Sequence, residues 1–120
     1  AFANSIIHAD YRGQGGIVIK KYPDRFLFVN PGYMLVPLEQ YYKGGCSVPR
    51  NTTIQTMFSL LGYGEKAGSG SLRIMSAWAS AHWRKPFISM TNRPDRVCLD
   101  LGRMFVICMG MLWLYCLPLR

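Results

Sequence analysis

Four consecutive apolar residues, Phe26-Leu27-Phe28-Val29, restrict most strongly what this chain can become. In an extended strand Phe26 and Phe28 point one way and Leu27 and Val29 the other, so the segment asks for cover on both faces and belongs inside a sheet. The run before it, Ile17 to Tyr22, sets Ile17 and Ile19 against Val18 and Lys20, as suits a strand nearer an edge. Pro23-Asp24-Arg25 joins the two runs as a short turn, which predicts an antiparallel hairpin. Asn30-Pro31-Gly32 then stops the second strand, because proline fixes its own φ and glycine permits the next bend. As a ligand site, the same tripeptide sets an amide side chain and bare backbone at a strand end.

Helical patterns surround this hairpin. From Ala1 to about Ala9, the positions Phe2, Ile6 and Ala9, with Ala3 and Ile7, recur at helical spacing. Asn4 and His8 fall four apart on one side of that helix, where they either bond each other or meet a ligand. Asp10 to Gly16, with three glycines, ends it. Pro37 to Lys43 predicts a short helix stopped by Gly44-Gly45. Asn51 is a candidate cap for a helix whose apolar residues Ile54, Met57, Phe58 and Leu61 fall at i, i+3, i+4 and i+7. A further helix from Ser71 to about Trp83 places Leu72, Met75, Ala79 and His82 on one stripe, with Ile74 and Trp78 beside it. Phe87 to Met90 and Val97 to Leu101 predict two more strands around the turn from Thr91 to Arg96.

The helix after Ser71 is entered through Ala67-Gly68-Ser69-Gly70. A glycine turn at a helix start exposes N–H groups that have no intrahelical partner, and the helix dipole adds positive potential, so an anion such as phosphate fits there. A flexible turn with a serine cap is the plainer reading of the same residues.

A chain of 120 residues, half of them hydrophobic, is long enough for one core and therefore one domain. Its 14 Lys and Arg against 6 Asp and Glu leave a net charge of +8, which favours polyanionic partners. The charges are scattered, only Lys20-Lys21 and Arg84-Lys85 being adjacent, and so they fit a basic solvated surface at least as well as a nucleic-acid face. Cys46, Cys98, Cys108 and Cys116 form no CxxC pair and have no histidine at metal spacing; they read as buried thiols in a reducing, cytoplasmic compartment. No signal-peptide pattern is present. The apolar run Met104 to Leu119 contains Gly110 and Pro118 and is shorter than the about twenty residues of a helical span, so it reads as a buried strand or atypical terminus rather than an anchor. The opening residue is not methionine and nothing caps the first helix, which makes the chain read as a piece of a longer protein.

Taken in order, Ala1-Phe2-Ala3-Asn4-Ser5-Ile6-Ile7-His8-Ala9-Asp10-Tyr11, the hairpin ending Asn30-Pro31-Gly32, Pro49-Arg50-Asn51 with Phe58 and Leu61-Gly62, and Gly68-Ser69-Gly70 resemble the RecG-related C-terminal domain. That domain occurs in bacterial proteins assigned as transcriptional regulators, usually behind a Schlafen-like AlbA domain and before a winged helix. The resemblance covers about residues 1–101, with Pro94 to Leu101 similar to the family's last strand; residues 102–120 depart from it, as a frameshifted or rearranged end would. It implies a divergent GHKL, or Bergerat-like, ATPase fold: an α/β sandwich of the α+β kind, with helices on one face of a mixed sheet, truncated at its N-terminus.

The resemblance also implies roles. Asn4 corresponds to the residue that holds the metal bridging nucleotide phosphates, Asn30 to an aspartate that accepts from the adenine amino group, and Gly68, Ser69 and Gly70 to the phosphate-facing helix start. His8 and Gly32, beside these motifs, complete the candidate nucleotide-binding set, and the implied cofactors are ATP and Mg²⁺. The glutamate that activates water in active relatives would fall before Ala1, and an amide at Asn30 accepts more weakly than a carboxylate. The implied function is therefore a regulatory or interaction domain of a DNA-binding transcriptional regulator with a degenerate nucleotide pocket and no catalysis of its own. The alternative is an ATP-binding enzyme domain. The implied partners are nucleic acid, reached through other domains of the parent, and a second copy of the chain, with no membrane.

Overall fold

The computed structural model describes residues 1–63 and 68–103. In chain order these form α1 (Phe2–His8), β1 (Val18–Lys21), β2 (Arg25–Pro31), α2 (Leu38–Lys43), α3 (Thr52–Leu60), α4 (Ser69–Ser80), β3 (Phe87–Asn92) and β4 (Asp95–Gly102). The result is an α+β fold built on one four-stranded sheet in the order β1-β2-β4-β3. As the sequence pattern predicts, β1 lies at an edge and the apolar β2 inside. Their hairpin closes with Lys21 opposite Phe26, and the Tyr22 N–H donates to the Arg25 carbonyl at 2.8 Å.

The expected mixed sheet is corrected in one respect: among the described residues all three strand pairings are antiparallel. The helical segment between β2 and β3 does return the chain so that β3 runs in the same direction as β2. The short β3–β4 hairpin, however, slots β4 between them, so no two neighbours run parallel.

Strand alternation sorts the side chains. Phe26, Phe28, Asn30, Val97, Leu99, Leu101 and Ile88 share the face that carries the helices, where Leu101 is 3% and Ile88 5% exposed. Ile7 of α1 and Ile74 of α4 are the buried large apolar residues of the helix layer among the described residues. Leu27, Val29, Cys98 and Asp100 share the opposite face, where they are only half-buried. The expectation that β2 is covered on both faces is met only in part: Phe26 and Phe28 under the helices and Leu27 and Val29 opposite are alike half-buried.

Two helices turn differently from their apolar stripes. α4 faces inward with Ser71, Ile74 and Trp78 while Leu72, Ala79 and His82 stay more open. The Trp78 indole N–H donates to the Gly102 carbonyl at 2.9 Å, which fixes the rotation of the helix against the end of β4. In α3, Ile54 and Phe58 are half-buried, whereas Met57 and Leu61 lie open to solvent. Asn51 stands at the N-cap position of α3 but makes no capping bond with its side chain. Its Nδ2 instead donates to the carbonyls of Ile7 and Ala9 at 2.9 and 2.8 Å, and its backbone N–H donates to Ile7 as well. Orphan carbonyls at the C-terminus of α1 are a stronger demand than a cap that the first turn of α3 can obtain from water.

Of the four cysteines expected to be buried, Cys46 is exposed and Cys98 half-buried. Cys108, Cys116 and the run Met104 to Leu119 lie outside the described residues. Among those described, no helix is long and apolar enough to cross a membrane.

Candidate functional site

A cavity of about 140 Å³ opens between α1, the end of β2, the segment from Tyr33 to Val36, and α2. Its floor is the apolar face of the sheet, Phe28, Val97, Leu99 and Ile88, and its polar wall is Asn4, Ser5, His8, Asn30 and Gly32. Among the described residues no carboxylate lines it. Pockets for drug-sized ligands run to roughly 300–1,000 Å³, so this one has room for a single flat ring system and little more.

Asn30 is on the inner face because it continues the Phe26 and Phe28 alternation. Its Nδ2 donates to the Ser5 carbonyl at 2.6 Å. That bond fixes the amide's orientation and leaves Oδ1, which has no donor among the described residues, as the free acceptor. Ser5 is buried, with its Oγ turned back to the Phe2 carbonyl at 2.7 Å; a small residue here lets α1 approach the strand end. At Gly32, φ is +99°, and a Cβ would meet the Asp10 Cβ at 2.7 Å. Glycine is therefore required where the exit of α1 crosses the end of β2, with Asp10 N–H donating to Pro31 and Gly32 N–H to Asp95, each at 2.9 Å.

His8 sits on the same wall. Burial holds its pKa below the ordinary value and the nearby Arg50 guanidinium adds to that, against an opposing bond with the Val48 backbone. The ring is thus neutral at pH 7, with one of its nitrogens engaged by the Val48 backbone. Tyr41 closes the far side; burial, with Tyr42 adding, pushes its pKa up to about 12, so its hydroxyl keeps its proton. Arg50 anchors the outer wall by donating from Nη2 to the Tyr33 carbonyl at 2.8 Å while its guanidinium lies over the Tyr33 ring.

The glycine turn stands apart from this cavity and meets it at one residue. Gly68 is the N-cap of α4 at φ +82°, and a Cβ there would strike the Gly45–Cys46 backbone at 2.6 Å. Gly70 lies against Asn4: a Cβ on it would come within 2.9 Å of Asn4 Nδ2. Asn4 therefore belongs both to the cavity wall and to the start of α4, where Ser69 is the first helical residue. The structure thus gathers Asn4, His8, Asn30 and Gly32 in one wall and leaves Gly68, Ser69 and Gly70 touching it through Asn4. No cluster of three or more His, Cys, Asp or Glu is found among the described residues, so Asn4 is the metal candidate with an amide oxygen alone.

Three contributors lie outside the set that the sequence points to: Ser5, Tyr41 and Asn51. Ser5 carries one signal, a small polar residue on the inward stripe of an apolar helix. The other two matter for what they meet across the fold, and no spacing reveals that.

The antiparallel sheet, helices on one face and a small apolar pocket at the end of an inner strand make this an α+β sandwich with a ligand-sized recess. The model of the family described as "Putative ATP-dependent DNA helicase recG C-terminal" matches residues 14–99, and the chain belongs to this family. The match takes in Asn30, Gly32, Gly68, Ser69 and Gly70, while Asn4 and His8 precede it. No curated protein and no solved structure matches the chain.

Proposed function

We propose that this chain is a nucleotide-binding regulatory or interaction domain of a DNA-associated transcriptional regulator. The observation that carries the reading is Asn30, its Nδ2 locked on the Ser5 carbonyl and its Oδ1 left to accept at the end of an apolar pocket. In this reading the base of a purine nucleotide occupies the cavity over Phe28 and Leu99 and donates to Asn30 Oδ1. The phosphates lie outside the cavity, toward Asn4 and the start of α4, where helix N–H groups and the dipole receive negative charge. Asn4 is the residue that would hold Mg²⁺, whose contribution when bound is to neutralise phosphate charge. His8, neutral, orients rather than transfers a proton. The basic balance of the chain and the family support association with nucleic acid through other domains of the parent, and a cytoplasmic setting.

Calorimetric titration of the chain with ATP and Mg²⁺, with ADP as comparison, tests this. Asn4→Ala removes a charge-assisted interaction worth ~1.5–3 kcal/mol, an affinity loss of roughly ten- to a hundredfold. No heat at millimolar ATP with a folded protein overturns nucleotide binding. An ATP-binding enzyme domain is the second reading, favoured by the apposition of Asn4 and Gly70; turnover of ATP by the chain, abolished in Asn4→Ala, would select it.

A further inference from the structure

The sheet face turned away from the helices carries chemistry that the pocket does not use. Across it Lys20, Leu27, Asp100 and Phe87 stand in register on four neighbouring strands. In the next row Arg25 pairs with Gly102, and Arg84 lies so closely over Gly102 that a Cβ there would meet its Nη2 at 2.6 Å. Asp100 binds both guanidiniums, Arg84 Nη2 at 2.9 Å and Arg25 Nη1 at 3.5 Å. One carboxylate thus holds two arginines in place while their side chains remain 42% and 36% exposed. Each guanidinium has five donors in a planar fork, so a single ion pair leaves most of that fork available to phosphate oxygens. Lys20, exposed, adds a third cation to the row.

Aromatic rings accompany these cations. Phe87 is 58% exposed at one end of the row, and Tyr22 lies beneath the Arg25 guanidinium at 5.0 Å. Cations alone would suit any polyanion. An open ring beside them, that of Phe87, suits a polyanion whose flat bases are unpaired and free to stack, which is a single strand and not a duplex. Lys20, Arg25, Arg84 and, two rows along, Arg96 share this face with Asp100, and in a chain of net charge +8 they supply the complementary sign.

We propose that the sheet face turned away from the described helices docks single-stranded nucleic acid, with Lys20, Arg25 and Arg84 on phosphates and Phe87 under a base. The pocket lies on the opposite face, so this surface stands independently of nucleotide binding. Direct binding by this chain goes beyond an association made through other domains.

The test is fluorescence anisotropy of the 120-residue chain with a labelled thymidine oligonucleotide of about twenty residues, from about 50 to 200 mM salt. Binding that weakens with salt is expected. Lys20→Glu combined with Arg84→Gln should weaken it about tenfold or more and flatten the log–log salt slope by about 0.7 for each phosphate that is no longer neutralised. Phe87→Ser should weaken it about fivefold or more and leave the slope unchanged. Lys20→Glu alone, at an exposed edge position, keeps the test valid if removing the Arg84 guanidinium unfolds the chain. Titration with ATP should be unaltered in all these variants. The proposal is overturned if nothing binds at the lowest salt, if folded variants bind like the parent, or if a duplex binds as tightly and is indifferent to Phe87→Ser.

Discussion

On the helix-covered face of the sheet Leu101 and Ile88 are almost sealed, whereas on the opposite face Leu27 and Val29 are half-buried and Phe87 stands open. The same strands supply both faces, so the difference comes from what is layered on them. Burial concentrates on one side, and that side contains the pocket and the neutral His8. The other side stays nearer water, and there a largely buried Asp100 holds two arginines whose side chains remain partly exposed. A sheet used this way separates its stabilising surface from a surface available for charge.

The largest expected effect tests that separation directly. Leu101→Ala should cost ~2–5 kcal/mol of unfolding free energy, because it empties a nearly sealed site, and Leu27→Ala well under half as much. Urea denaturation measures both, and equal losses would mean the two faces are equally buried. Next comes Asn51, which ties the covered face together by holding α1 to the start of α3. Asn51→Ala should cost ~1–3 kcal/mol by leaving the Ala9 carbonyl unpaired and the Ile7 carbonyl with the residue 51 backbone N–H alone. Asn51→Asp distinguishes the two roles, since aspartate caps a helix well but cannot donate: stability near that of Asn51→Ala identifies the tie, and near-native stability identifies a cap.

A smaller effect is expected at the junction of the pocket with α4. Gly70→Ala should push Asn4 aside and weaken ATP binding about tenfold, ~1.4 kcal/mol, while leaving oligonucleotide binding on the far face unchanged. Parallel titrations of the one variant read both, and a drop in both would join the faces into one site. The smallest effect is that of pH. The folded pKa of His8 is depressed below 6.5, so the unfolded chain takes up the proton first as pH falls. Its contribution is complete above the unfolded value and declines as pH drops from about 6.5 toward the folded one. Urea midpoints between about pH 5 and pH 7 should fall on acidification, and His8→Gln should flatten that dependence.

Much of the fold is legible in the sequence because strands announce themselves locally. Alternation in Ile17 to Lys20, the solid apolar run from Phe26 to Val29 and the proline-bearing turns place both hairpins and put β1 outside β2. Helix existence is equally legible, but helix rotation is not: the Leu72 stripe of α4 is as apolar as the one that packs, and Trp78 decides between them by finding the Gly102 carbonyl. At the site, Asn4, His8, Asn30 and Gly32 stand out in the sequence and prove to share one wall. Asn51 stands out for a bond that it does not make, because a residue suited to capping one helix start is equally suited to satisfying another helix's end.

Residue order alone dictates the elements and their succession, since periodicity and turn chemistry are local properties. It took the closed fold to settle that β4 lies between β2 and β3, that every described helix takes the same face, and that Asp100 meets Arg25 and Arg84 on the other. Those outcomes depend on which surfaces bury the most apolar area together. That is a property of the whole packed chain and of no segment within it.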